Sequence, residues 1–285
     1  MNAEVAFKAA RDATLRGHAY AAAALENAGM QPSILWWVAP ALAGIIVWPL
    51  LYQISCTVSC AVCSSYGKLG RADKANWDSR VPSTVHAVAV VWAAVHLLGA
   101  STLFVEGGEP GASSANLMLR SSRMSNFWLG VSMGYFIYDL ILVLSYFPTL
   151  GGWEFLIHHF AALAPMVNGL LKGEVHYYLY MCLLTEATTP FVNLRYWLSK
   201  SNASKGAVYK WNGVAMLVSW AITRVALFLY VFWHMFTHRA QLAATSYLAR
   251  VMVFTIMPTL SVLNWYWFYR IVVGLVKLFS PPKKV

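Results

Sequence analysis

Glu154, His158 and His159 sit within GGWEFLIHHFAAL (residues 151–163), a stretch otherwise apolar enough to lie in a bilayer. Ionisable side chains at membrane depth are costly unless they pair or face a protein interior, so by default they mark function. A histidine there could take a proton from an amine or hydroxyl, or attack a thioester to give an acyl-imidazole. A carboxylate would fix its tautomer, and Asp139 in the preceding apolar segment is one such group. Glu186 supplies a second carboxylate, and Thr189, Pro190 and Asn193 share its helical face. Pro190 frees the carbonyl of Glu186 to accept other bonds. Arg224, near the middle of a later apolar segment, could balance an oxyanion or a phosphate. His158, His159, Asp139 and Glu186 are therefore the catalytic candidates. Arg224, Asn193, Asn264, His86 and Arg80 are the candidates for binding a substrate.

The elements that must position these residues follow from composition. Of 285 residues 59% are hydrophobic and 11% charged, against about 25% charged in soluble domains. Apolar runs near the roughly 20 residues needed to cross the hydrocarbon core fall at about 34–56, 82–105, 127–147, 153–171, 176–198, 211–236 and 246–276. None alternates with period two, so the expectation is an all-α polytopic membrane protein of about seven transmembrane helices. The expected organisation is an N-terminal surface segment at 1–33, a first transmembrane helix at 34–63, the main helical domain at 70–275 and a basic tail at 276–285. The N-terminal stretch lacks the apolar core and cleavage site of a signal peptide, so the first span is expected to insert uncleaved. On the fourth segment, 100° per residue gathers Trp153, Leu156, Ile157, Phe160, Leu163, Ala164 and Val167 on a lipid side. His158 lies opposite with Glu154, Ala162, Pro165 and Gly169, and His159 sits on the flank.

Charge sets the orientation. Lys68, Arg71, Lys74 and Arg80, then Lys200, Lys205 and Lys210, then Lys283 and Lys284 fall on one side of a seven-span arrangement. The positive-inside rule then places the N-terminus in the lumen and the C-terminus in the cytosol. The net charge of +10 reads as attraction to anionic leaflets. Membrane lipids are the expected partners and nucleic acid is not; protein partners are left open. Cys56, Cys60 and Cys63 have a cluster-like spacing but stand at the end of an apolar helix, where small residues on a packing face are the better reading. His234 and His238 have the i, i+4 spacing of a ligand pair, yet lie across the membrane from His158, so no metal site is expected.

Several motifs together resemble a known family. Trp77-Asp78-Ser79-Arg80 followed by Val81-Pro82-Ser83-Thr84-Val85-His86, then Tyr138-Asp139, His158-His159 and Glu186-x-x-Thr189-Pro190-Phe191-x-Asn193-x-Arg195 are similar, in order and spacing, to the TLC domain. That fold is shared by translocating-chain-associated membrane proteins, ceramide synthases and CLN-type lipid proteins. The resemblance covers about 70–275 and is greatest to the TLC-domain-containing, transmembrane protein 56-like branch. It implies a protein of lipid homeostasis in the endoplasmic reticulum or a related endomembrane, with a cavity open toward the cytosol. In the ceramide synthase branch the paired histidines serve acyl transfer from acyl-CoA, so acyl-CoA would be the cosubstrate if this chain is an enzyme, and no other cofactor is implied. The chain departs from that branch in the fifth segment. It reads LLTEATTPFVNLR where the synthases carry His-Asp and a second aspartate, and it has no homeobox-like insert.

Overall fold

The computed structural model describes residues 34–105 and 116–280, with isolated positions before residue 34. The expected surface segment at 1–33 lies largely outside the described residues, as does the Lys283–Lys284 end of the basic tail. Regular structure among the described residues is entirely helical. Five helical stretches are long and apolar enough to cross a membrane: Leu35–Val62, Arg71–Ala100, Arg123–Ser145, Ala207–Thr237 and Tyr247–Phe279. The first is α1. The second comprises α2 (Arg71–Val95) and a π turn at His96–Ala100. The third is α3. The fourth comprises α7 (Ala207–Trp220), a π segment at Ala221–Ala226 and α8 (Leu227–Thr237). After the five-residue α9 (Arg239–Ala243), the fifth is α10.

The fourth and fifth segments of the sequence reading are also helical, but fall short of that standard of length and composition. α4 (Trp153–Lys172) carries Glu154, His158, His159 and Asn168 in its 20 residues and ends at Gly173, whose φ of 67° is the left-handed stop that glycine adopts without strain. The next run is divided into α5 (His176–Leu183), a 3-10 turn at Leu184–Thr188 and α6 (Thr189–Lys200). Pro190 causes that division, since it has no N–H to donate and its ring crowds the carbonyl four residues back. The second span also starts earlier than its apolar content suggests. Its amphipathic first turns, through Trp77 and Asp78, are buried against protein.

Close backbone contact joins α1 to α3. A Cβ on Gly130 would stand 2.3 Å from the Trp37 carbonyl oxygen, and one on Gly134 would stand 2.7 Å from that of Ala41. Gly130-x-x-x-Gly134 thus forms the small-residue face that lets two apolar helices meet at backbone distance where lipid offers no hydrophobic drive. The start of α2 is tied by side chains to α1 and to the 3-10 turn Tyr66–Lys68 after it: Trp77 donates to Ser59 at 2.8 Å and Tyr66 donates to Asp78 at 2.6 Å. Burial and the adjacent carboxylate push the Tyr66 hydroxyl well above its ordinary range, so it remains a donor. The end of α6 meets the start of α2 through Lys200–Asp73 at 2.7 Å and Tyr196 donating to the Asp73 carbonyl at 3.1 Å. These ties gather the basic connections around Lys68–Lys74 and Lys200–Lys210 at one end of the bundle.

Candidate functional site

A cavity of about 480 Å³ opens between α2, α3, α4, the 3-10 turn with α6, α7 and α10. Arg80, Asp139, His158, His159, Glu186, Asn193 and Arg224 all line it. Seven of the nine residues singled out in the sequence therefore converge on one space. Below it, a second cavity of about 50 Å³ shares Phe136, His158, Glu186 and Arg224 and is otherwise walled mainly by apolar residues such as Met166, Leu179, Met257 and Leu260. The polar layer is the boundary between the two.

Asp139 on α3 lies 2.9 Å from Nε2 of His159 on α4, while Nδ1 of His159 lies 2.8 Å from the Phe155 carbonyl oxygen. Both ring nitrogens face oxygen acceptors, a geometry that a ring donating from both satisfies. His159 is buried and bridges the Asp139 carboxylate to the Phe155 carbonyl beside the cavity. The wheel puts His159 on the flank and leaves open which histidine Asp139 serves; Asp139 goes to His159. The wheel fixes angles on one straight helix, but cannot say where the neighbouring α3 presents its carboxylate. Trp153 and Phe160 do face outward, each more than 70% exposed. His158 lines both cavities, makes no hydrogen bond among the described residues, keeps Nδ1 buried and unpartnered, and meets the Trp267 ring edge-on at 5.9 Å. It is the histidine with a nitrogen left for other work.

Arg224 owes its placement to two irregular segments. The π turn Ala221–Ala226 carries it, and the 3-10 turn before Pro190 presents acceptors to it. Its Nε donates to the Thr185 carbonyl at 3.1 Å and to Thr188 Oγ1 at 2.9 Å, and NH1 donates to Asn264 Oδ1 at 3.2 Å. Glu186, which also accepts from Thr189 at 2.7 Å, approaches NH2 at 3.9 Å. The guanidinium stacks over Trp220 at 4.4 Å. Its ionic partner is thus Glu186. Asn264 lines the lower cavity and serves Arg224 there, while its carbonyl accepts from Trp220 Nε1.

Asn193 is a clamp between α6 and α2. Its amide nitrogen donates to Thr84 Oγ1, Ser83 Oγ and the Arg80 carbonyl, and its Oδ1 accepts from Arg80 NH1 at 3.1 Å. Arg80 also donates to Asn76 Oδ1 through Nε at 3.0 Å and through NH2. His86 lines neither cavity. It is fully buried, stacked on Tyr135 at 4.0 Å and edged by Trp48 and Phe136. His86, a binding candidate in the sequence, thus sits on a face of α2 that turns to α1 and α3. The cavity also includes Arg195, Trp220, Trp267 and Arg270, to which the sequence reading gives no role. Arg195 ends a quoted motif, but Arg270 near a helix terminus looks like any interfacial arginine. Among the described residues, no group of three or more His, Cys, Asp or Glu could hold a metal ion.

Residues 76–273, the part of the chain that builds this cavity, match the TLC domain family. The chain belongs to that family. TLC domain-containing protein 4 of Homo sapiens is 28% identical over 236 residues, covering 81% of this chain and 86% of the human protein. TLC domain-containing protein 4-B of Xenopus laevis is 29% identical over 188 residues, 65% of this chain and 68% of the frog protein. An uncharacterized TLC domain-containing protein of Schizosaccharomyces pombe is 27% identical over 186 residues, 64% of this chain and 60% of its own length. The TLC domain here is thus a multi-pass membrane bundle, from a family generally linked to lipid metabolism.

Proposed function

We propose that this TLC-domain protein binds a membrane lipid in the interhelical cavity and acts in lipid homeostasis, in the endoplasmic reticulum or a related endomembrane, with the cavity facing the cytosol. The observation that carries the reading is the stacking of two environments: a charged chamber of about 480 Å³ directly above an apolar one. A lipid is the ligand whose own polarity changes at such a boundary, with its headgroup in the upper space and the start of its chains in the lower. Lining side chains from six elements make the chamber part of the bundle's architecture. The discriminating experiment is purification in mild detergent, followed by mass spectrometry of co-purifying lipid. A lipid retained in stoichiometric amount is the expected result, and a lipid-free protein that takes up none on reconstitution would overturn the reading.

Acyl transfer from acyl-CoA is the second reading, and His158 favours it. A ring without a hydrogen-bond partner, beside the His159–Asp139 pair and Arg224, has the arrangement of a base flanked by groups able to stabilise developing negative charge. His158 would take the proton from an acceptor amine or hydroxyl as that atom attacks the thioester carbonyl. Release of free CoA thiol from acyl-CoA in the presence of a membrane acceptor is the measurement that separates a transferase from a binder.

A further inference from the structure

The charges lining the upper cavity do not balance. Arg80, Arg195, Arg224 and Arg270 face it alongside Asp139 and Glu186. His159 holds Asp139 and Arg224 holds Glu186. Arg80, Arg195 and Arg270 therefore have no carboxylate within ion-pair distance among the described residues. Each is oriented by neutral groups instead. Arg80 is held by the side-chain amides of Asn76 and Asn193 and lies over the Tyr196 ring at 4.7 Å. Arg195 lies over Tyr209 at 4.1 Å and donates to the Tyr209 carbonyl. Arg270 lies over Tyr266 at 5.8 Å and donates to its hydroxyl at 2.8 Å. Amides and rings fix the plane of a guanidinium without cancelling its charge, and several N–H groups on each remain to be accepted. Space is kept for one of them: a Cβ at Gly213 would stand 2.8 Å from Arg195 NH1.

We propose that Arg80, Arg195 and Arg270 form a recognition site for the phosphate of an anionic phospholipid, the start of whose chains enters the apolar cavity below. The inference rests on the lipid-binding reading and narrows it to a ligand class. Planar guanidiniums with free edges suit the tetrahedral oxygens of a phosphate, and such charge-assisted bonds are about twice as strong as neutral ones. A diacylglycerol would leave the partly buried charges of Arg80 and Arg195 and the exposed charge of Arg270 unmatched. A free phosphate would satisfy the charges and leave the apolar chamber without an occupant.

The test uses the full-length protein in a neutral detergent, with brominated dioleoyl phosphatidate and brominated dioleoylglycerol as quenchers of Trp220 and Trp267, which line the cavity. Phosphatidate is expected to bind about tenfold or more tightly than the diacylglycerol, the scale of one charge-assisted bond. Arg195→Gln/Arg270→Gln should abolish that preference, with melting temperature monitored to confirm folding. Lys68→Gln/Lys205→Gln, which neutralises exposed charges outside the cavity at the same end of the bundle, should preserve it. Equal binding of both lipids would refute phosphate recognition and leave the lipid cavity standing; binding of neither would overturn both. An equal loss in the two lysine changes would assign the preference to general surface charge. Displacement of phosphatidate by inorganic phosphate or oleoyl-CoA, at concentrations where phosphatidate cannot compete in return, would move the phosphate's source away from the membrane lipid and refute the assignment.

Discussion

Neighbours on one helix, His158 and His159 have opposite hydrogen-bonding fates, and single substitutions separate their roles. His159→Ala removes the partner of a carboxylate that is itself only 23% exposed. It is expected to cost about 1–3 kcal/mol of stability, the range for a buried polar group left unsatisfied, read as a lower melting temperature in detergent. His158→Ala breaks no hydrogen bond, so it should leave that temperature nearly unchanged while changing the bound-lipid profile and, if the protein is a transferase, abolishing release of CoA. Full turnover in the His158 variant would remove it from the chemistry. Arg224→Leu strands Glu186 and three further acceptors, and breaking a buried pair in this way costs about 3 kcal/mol or more. Adding Glu186→Gln should recover part of that loss, because the residues couple directly. Additive losses would show that the 3.9 Å approach contributes nothing. The convergence of Asp139, Glu186 and Arg224 was legible in the sequence because intramembrane charge has few places to go. The pairing between them was not, since it depends on which helix presents which side chain at the same depth.

At the scale of elements, apolar length announced where helices lie, and irregular turns decided what they hold. Pro190 is visible as a helix breaker, yet its consequence, a 3-10 turn whose Thr185 carbonyl and Thr188 hydroxyl receive Arg224, depends on a π segment on another helix that no sequence period marks. Hydrophobicity likewise gives α4 and the α5–α6 run too little weight, because the polar residues they spend on the cavity lower their apolar content. The α1–α3 contact is a further case, since Gly130 and Gly134 stand in an apolar run where only the partner backbone reveals their purpose. Gly130→Ala would place a methyl 2.3 Å from the Trp37 carbonyl oxygen, forcing the helices apart at a cost of about 1–3 kcal/mol, the range for overpacking. Gly99→Ala is the matched control, as nothing lies within 4 Å of a Cβ there. Equal melting temperatures for the two variants would show that α1 is not held by this contact.

The molecule as a whole has a chemical polarity: the cavity, its arginines and the lysine-rich connections share one end, set by the Lys200–Asp73 and Tyr196–Asp73 ties. Anionic lipid is concentrated in the cytosolic leaflet, and positive connections are retained on that side during insertion. A cytosolic placement of this end, as proposed, would serve both assembly and supply of the proposed ligand. Asn202-Ala203-Ser204, in the connection between α6 and α7, is a glycosylation sequon. It lies at the cavity end of the bundle, so Asn202 is expected to stay unmodified when the protein is expressed in a cell that glycosylates luminal segments. Gly111→Asn creates a sequon with Ala112 and Ser113 in the chain between α2 and α3, whose flanking helix ends lie away from the cavity. That variant should gain one endoglycosidase-sensitive mass shift, which shows that the assay can detect a luminal site. Glycan on Asn202 in the unmodified sequence would turn the cavity toward the lumen, and with it the leaflet from which a lipid could enter.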